Sequence, residues 1–158
     1  LPVEVTIPLP TAPKATFRVA FSLAAVSGDA VELVGFAGML IRITEVAIAK
    51  PSVSETVVLT KRRTADTGGT STNATIAAMD SADAPTGVLK LYTAAPTAGT
   101  TAGDLGRCVV AATDVMIWDF TRPDTKPPTL RAANERFCIN VDATGTLPGW
   151  VEWTEESQ

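Results

Sequence analysis

Apolar and polar residues alternate along much of this chain with the two-residue period of a strand, and a helical period is nowhere sustained. Phe17, Val19, Phe21 and Leu23 interleave with Arg18, Ala20 and Ser22, so one face of the segment meets a core and the other meets water. Residues 31–36 and 40–49 follow; in the second, Ile41, Ile43 and Glu45 alternate with Arg42, Thr44 and Val46. The β-branched density there, with Gly35 and Gly38, argues against a helix. Pro51 ends the run and residues 55–60 supply another β-branched strand. Residues 88–93 form the next, and the last third divides into short strands over 108–112, 115–120, 129–132, 136–141 and 150–154.

Turn chemistry separates them. Ser27, Gly28 and Asp29 form one signal; Arg122, Pro123 and Asp124 another; Gly145, Pro148 and Gly149 a third. Residues 64–87 read as a long polar excursion and 94–106 as a second loop, lengths that a compact domain reserves for function. Within the first, Gly68 and Gly69 permit positive φ, and Asp80, Asp83 and Pro85 read as a turn. Residues 1–14 carry prolines at 2, 8, 10 and 13. Each removes a donor and favours extended geometry, so the segment reads as an arm with a short strand over 3–7. Arms of this type reach across to a neighbour, but a plain surface-lying terminus is the favoured reading. The expectation is an all-β fold: the arm at 1–14, then one domain over 15–158, a β-sandwich or a jelly-roll or Greek-key barrel with long polar loops.

Composition narrows the chemistry. Charged residues are 19% of the 158 and aromatics 6%, a balance that suits half-buried strands better than solvated helices. The net charge of −4 repels phosphate backbones, so nucleic acid is not an expected partner. The chain has no histidine, which removes Ser-His-Asp and Cys-His catalysis and His-based zinc sites. Two cysteines, Cys108 and Cys138, are too few for a disulfide framework, and free thiols are favoured over a single bridge. No charged-then-apolar leader opens the sequence, and residues 34–49, the longest apolar run, are broken by Gly35, Gly38, Arg42 and Glu45. A soluble protein with no membrane partner is expected.

Candidate motifs weigh toward structure. Gly68 and Gly69 precede no helix and no Gly-Lys-Thr, so they do not cradle phosphate. Asp80 and Asp83 lack the acidic spacing of a calcium loop and read as turn caps. Asp114, Asp119, Asp142 and Glu152 offer carboxylates without a readable cleft, and Glu155 with Glu156 reads as a solvated pair. Asn73, Ala74 and Thr75 match a glycosylation sequon that reads as accidental. Trp118, Trp150 and Trp153 are either a sugar-binding platform or core and edge residues, with Trp150 and Trp153 on opposite faces of one strand. Catalytic, cofactor-binding and metal-ligating residues are therefore expected to be none. Lys61, Arg62 and Arg63 read as a solvated strand end that also suits an acidic partner surface, and Arg131 and Arg136 as charges that pair locally or as subunit anchors. The candidate interface set is Pro2, Pro8, Pro10, Arg62, Arg63, Arg131 and Arg136.

Four segments, LTKRRTADTGGTST over 59–72, LYTAAPTAGTTAG over 91–103, LRAANERFCIN over 130–140 and WVEWTEE over 150–156, resemble small β-rich virion proteins of tailed bacteriophages. The resemblance covers the C-terminal two-thirds and includes no catalytic signature. It implies a non-enzymatic capsid decoration, or cement, protein on the head exterior. Such a protein binds the major capsid protein as a trimer or dimer and is assembled in the host cytoplasm without a cofactor. A tail, collar or head-fibre subunit and a carbohydrate-binding sandwich using the tryptophans are the alternatives.

Overall fold

The alternation of Phe17, Val19, Phe21 and Leu23 folds as β1 (Ala15–Ala24), its apolar side buried and its polar side open. The structure, a computed structural model, describes residues 13–24 and 26–158. The proline-rich arm, its strand over 3–7, and Pro2, Pro8 and Pro10 lie outside the described residues. The remaining strands are β2 (Gly28–Val34), β3 (Met39–Ala49), β4 (Glu55–Arg62), β5 (Thr70–Asn73), β6 (Ala77–Ala78), β7 (Val88–Ala94), β8 (Thr101–Val110), β9 (Val115–Asp119), β10 (Thr129–Leu130), β11 (Arg136–Val141) and β12 (Thr146–Ser157). No helix occurs among the described residues.

The strands form two antiparallel sheets. The first runs β10-β3-β12-β1-β6 with β9 also on β3; the second runs β5-β7-β2-β11-β4-β8. Their facing sides close on one core that includes Phe17, Leu33, Ile43, Leu59, Phe137, Ile139 and Trp153. Trp153 and Phe17, paired across β12 and β1, stack as tilted rings 6.1 Å apart, within the favourable range for aromatic contact. The all-β sandwich read from the sequence is the observed fold.

Several boundaries differ from the expectation, each for a tertiary reason. β4 continues through Lys61 and Arg62 because both β11 and β8 pair with them. β8 begins at Thr101, inside the expected loop, under the same ladder. Gly28 opens β2 at φ +121°, and Asp29 lies in the strand rather than in a turn. β12 takes in Pro148 and Gly149, read as turn residues. A Cβ at Gly149 would stand 2.2 Å from the Ala47 carbonyl oxygen, so only glycine lets β3 and β12 approach there. The polar excursion over 64–87 contains β5 and β6 at the sheet margins.

Candidate functional site

The outer face of the second sheet carries a layer of ionisable side chains. Side chains directly opposite across a ladder share a face. Cys138 on β11 stands between Glu32 on β2 and Thr60 on β4; Arg136 stands opposite Arg62; Glu32 stands opposite Lys90 on β7. Asn140 and Asp29 join this face through the irregularity between Ile139 and Asn140.

Arg62 donates from Nε to Asp29 Oδ2 at 2.6 Å and from Nη2 to Asp29 Oδ1 at 2.8 Å, a two-pronged pair. Its Nη1 donates to Thr101 Oγ1 at 2.6 Å and to the Gly99 carbonyl at 3.2 Å. Asn140 Nδ2 adds a 2.7 Å bond to Asp29 Oδ1. Beside this group Arg136 Nε donates to Glu32 Oε1 at 2.6 Å, Tyr92 Oη donates to Glu32 Oε2 at 2.7 Å, and Lys90 Nζ lies 3.4 Å from Glu32 Oε2. Asp29, Glu32, Arg62, Asp66 and Arg136 are all buried.

Two loops cover the layer. The segment after β4 and the segment before β8 cross at the Thr67–Thr97 bridge. Asp66 Oδ1 accepts from Gly99 N at 2.8 Å and lies 3.7 Å from Arg62 Nε. A Cβ at Gly99 would sit 2.1 Å from the Thr64 carbonyl oxygen, so the crossing requires glycine. Asp66 Oδ2 is buried without a partner.

The electrostatics follow. Burial opposes charge on Asp29, but hydrogen bonds from Arg62 and Asn140 and the guanidinium charge outweigh it and hold the carboxyl below its ordinary value. Burial, with Asp29 and Glu32 nearby, pushes Asp66 up to about 6. Burial and the bond to Glu32 raise Tyr92. Burial, then Asp29, raises the Cys138 thiol well above its usual range. Asp29, Asp66 and Cys138 bring potential ligand atoms within 4.8 Å of one another, but the Arg62 guanidinium already bridges the two carboxylates and Cys138 holds its proton. The layer is a structural counter-charge network with its own internal cation.

The candidate residues from the sequence scatter. Arg62 and Arg136, expected at an interface, are instead buried here, each held by a carboxylate. Arg63 and Arg131 are exposed. Their backbones belong to one corner: Asn134 Nδ2 donates to the Arg63 carbonyl, and Glu135 Oε2 accepts from Arg131 N. Lys61 Nζ pairs with Glu135 Oε1 at 3.0 Å and is half-buried rather than a solvated end. Glu155 is also buried, accepting from Trp153 Nε1, Thr86 N and Gly87 N. Glu156 pairs with Lys14 and Arg42. Asp80 caps its own turn by accepting from Ala82 N. Asp114, Asp119 and Asp142 are exposed at strand ends, and Glu152 binds Arg18.

The tryptophans form no shared platform. Trp153 is in the core; Trp150 lies under the Arg18 guanidinium at 5.6 Å and donates to Glu45 Oε1; Trp118 packs at the opposite margin, against Gly106.

At that margin the edge strands of the two sheets lie close, Gly106 of β8 against Trp118 of β9, and both strands expose apolar residues on their outward faces. β8 exposes Leu105 (41%) and Val109 (65%), and β9 exposes Val115 (50%) and Ile117 (49%). Sequence reasoning missed them because each residue is unremarkable within its own strand. No protein-family model, curated protein or solved structure matches this chain, and its functional reading rests on this geometry together with the sequence motifs.

Proposed function

We propose that this protein is a non-enzymatic structural subunit of a tailed-phage virion, a capsid decoration protein held on the outside of the major capsid lattice. The observation that carries the reading is the exposure of apolar residues on both strands of this margin, Leu105 and Val109 on β8 and Val115 and Ile117 on β9. Exposed apolar residues gathered at a sheet margin favour protein contact. The buried ion layer supports the same reading, since paired charges behind the surface keep the frame rigid under load. Weak contacts repeated over a shell then add through avidity.

The test is sedimentation of the purified chain with empty phage heads assembled without it. Saturable binding that drops at least tenfold in Val109→Lys with Ile117→Lys, about 1.4 kcal/mol per contact site, is expected. Absence of the chain from the pelleted heads at saturating concentration overturns the proposal.

A further inference from the structure

The β8–β9 margin is an incomplete end of the sandwich. Cys108 on β8 and Met116, Trp118 and Phe120 from the facing sheet all pack on the core, yet each is only partly buried. Cys108 lies opposite Val57 and Gly106 opposite Leu59, so both point inward; Met116 and Trp118 lie opposite Ile48 and Val46 and also point inward. Among the described residues β8 has one ladder neighbour, β4, and ten residues of open edge. The opposite side of β8 presents Leu105, Arg107 and Val109, with Arg107 paired to Asp104 at 3.4 Å.

Residues 1–12 contain one segment that matches this slot. Val3, Val5 and Ile7 alternate with Glu4 and Thr6. As a strand beside β8, its odd side chains would lie over Cys108, Trp118 and Met116 and close the core, while Glu4 would lie on the Arg107 side. The prolines strengthen the match. Pro2, Pro8 and Pro10 are all even-numbered, and amides two apart in a strand point to the same neighbour. Odd-numbered amides would therefore bond β8, and the edge turned outward would be the one the prolines block against further strands.

The chain's own segment does not reach. Ile7 and Pro13 are six residues apart, at most about 21 Å. Pro13 leads into β1, and β9 is reached from β1 only through β12 and β3. A slot beyond that margin is about 19 Å along the sheet, about 10 Å across and, because Ala15 is level with Ile41 while β9 is level with Glu45–Ala49, at least about 13 Å along the strands, together about 25 Å.

We infer that the open β8–β9 margin is completed by residues Val3–Ile7 of a second copy of this chain, donated as an added strand. Donation in one direction joins unlike surfaces, which gives a ring where the rotation closes and an open filament where it does not. The inference rests on the proposed function only in treating the chain as an assembly subunit.

Single-cysteine replacements in the full chain test it, oxidised with copper-phenanthroline and read on a non-reducing gel. Val3→Cys, Val5→Cys or Ile7→Cys is expected to give chains disulfide-linked through Cys108 of the neighbour, with roughly tenfold less product from Glu4→Cys and Thr6→Cys, which face away. Adding Cys108→Ala should abolish the product, and removing residues 1–12 should lower the mass seen by light scattering to one chain. Equal product at odd and even positions overturns the inference, as does a bridge formed within one chain or an unchanged mass after truncation. Head sedimentation is read separately: a chain that binds heads without cross-linking sinks the exchange alone, and one that cross-links without binding heads sinks only the capsid reading.

Discussion

Arg62 and Arg136 stand directly opposite each other across the β4–β11 ladder, both buried. Like charges in that relation destabilise a sheet. Here each turns to a carboxylate borne by β2: Arg62 to Asp29, Arg136 to Glu32. The order β2-β11-β4 thus sets two acids on one strand against one base on each of the next two, and the loop carrying Asp66 covers them.

Breaking one half of such a pair costs more than removing both. Arg136→Met leaves the Glu32 carboxylate with Lys90 and Tyr92 alone and should lose about 3 kcal/mol in urea unfolding at pH 7, the low end for a broken buried pair. Glu32→Gln keeps an acceptor for Tyr92 while removing the charge. The double variant should lose clearly less than the sum of the two singles, a coupling of about 1–3 kcal/mol. Additive losses would show that the two side chains do not act as a pair.

Asp66 gives the fold an acid-side signature. Its carboxyl sits near 6 when folded against 3.8 ordinarily, so the folded state binds more protons between those values. A raised carboxyl contributes stability that is full below about 4 and lost as pH rises through about 6. Asp29 is shifted the other way, and its contribution is lost as pH falls below about 4. Asp66→Asn should therefore flatten the melting temperature between pH 4 and 6 and raise it, relative to the unaltered chain, at pH 7. An unchanged slope over that interval would remove Asp66 from this role.

How far the sequence disclosed this molecule depended on the range of the forces involved. β1, β3 and β11 were legible because alternation is local and needs only one apolar side. The charge layer was not, since Asp29 and Arg62 are 33 positions apart and Glu32 and Arg136 are 104 apart. Gly28 and Asp29 carry every mark of a turn, and only a guanidinium from another strand makes Asp29 tolerable within β2. Glu32 inside Val31, Leu33 and Val34 was the one available hint, a charge in an otherwise apolar run. The arginines were visible as charges, but nothing nearby in the sequence revealed that their partners lay behind them.

The two thiols sit on opposite sides of one sheet, Cys108 toward the core margin and Cys138 in the charged layer, with β4 between their strands. Burial raises both, so each reacts more slowly at neutral pH than an ordinary free thiol. Native protein treated with a thiol-reactive disulfide reagent should label slowly at Cys108, while Cys138 should label only on unfolding. Peptide mapping that found Cys138 labelled first would contradict the sealed layer.

Glu155 secures the long segment between β6 and β7 to the end of β12. Its Oε2 accepts from Thr86 N at 2.8 Å, and its Oε1 accepts from Gly87 N and Trp153 Nε1, each at 2.9 Å. Three donors on one buried carboxylate are worth more than neutral bonds, because each is charge-assisted. Glu155→Gln keeps the shape but has one accepting oxygen, and its amide meets a donor where it needs an acceptor. The loss should be about 1–3 kcal/mol, concentrated in this loop. Hydrogen exchange at the Thr86 and Gly87 amides should speed up far more than exchange in β11, which shares no bond with Glu155. Equal acceleration in both places would mean that the loop and the sandwich open together, and that Glu155 is a general core residue rather than a local tether.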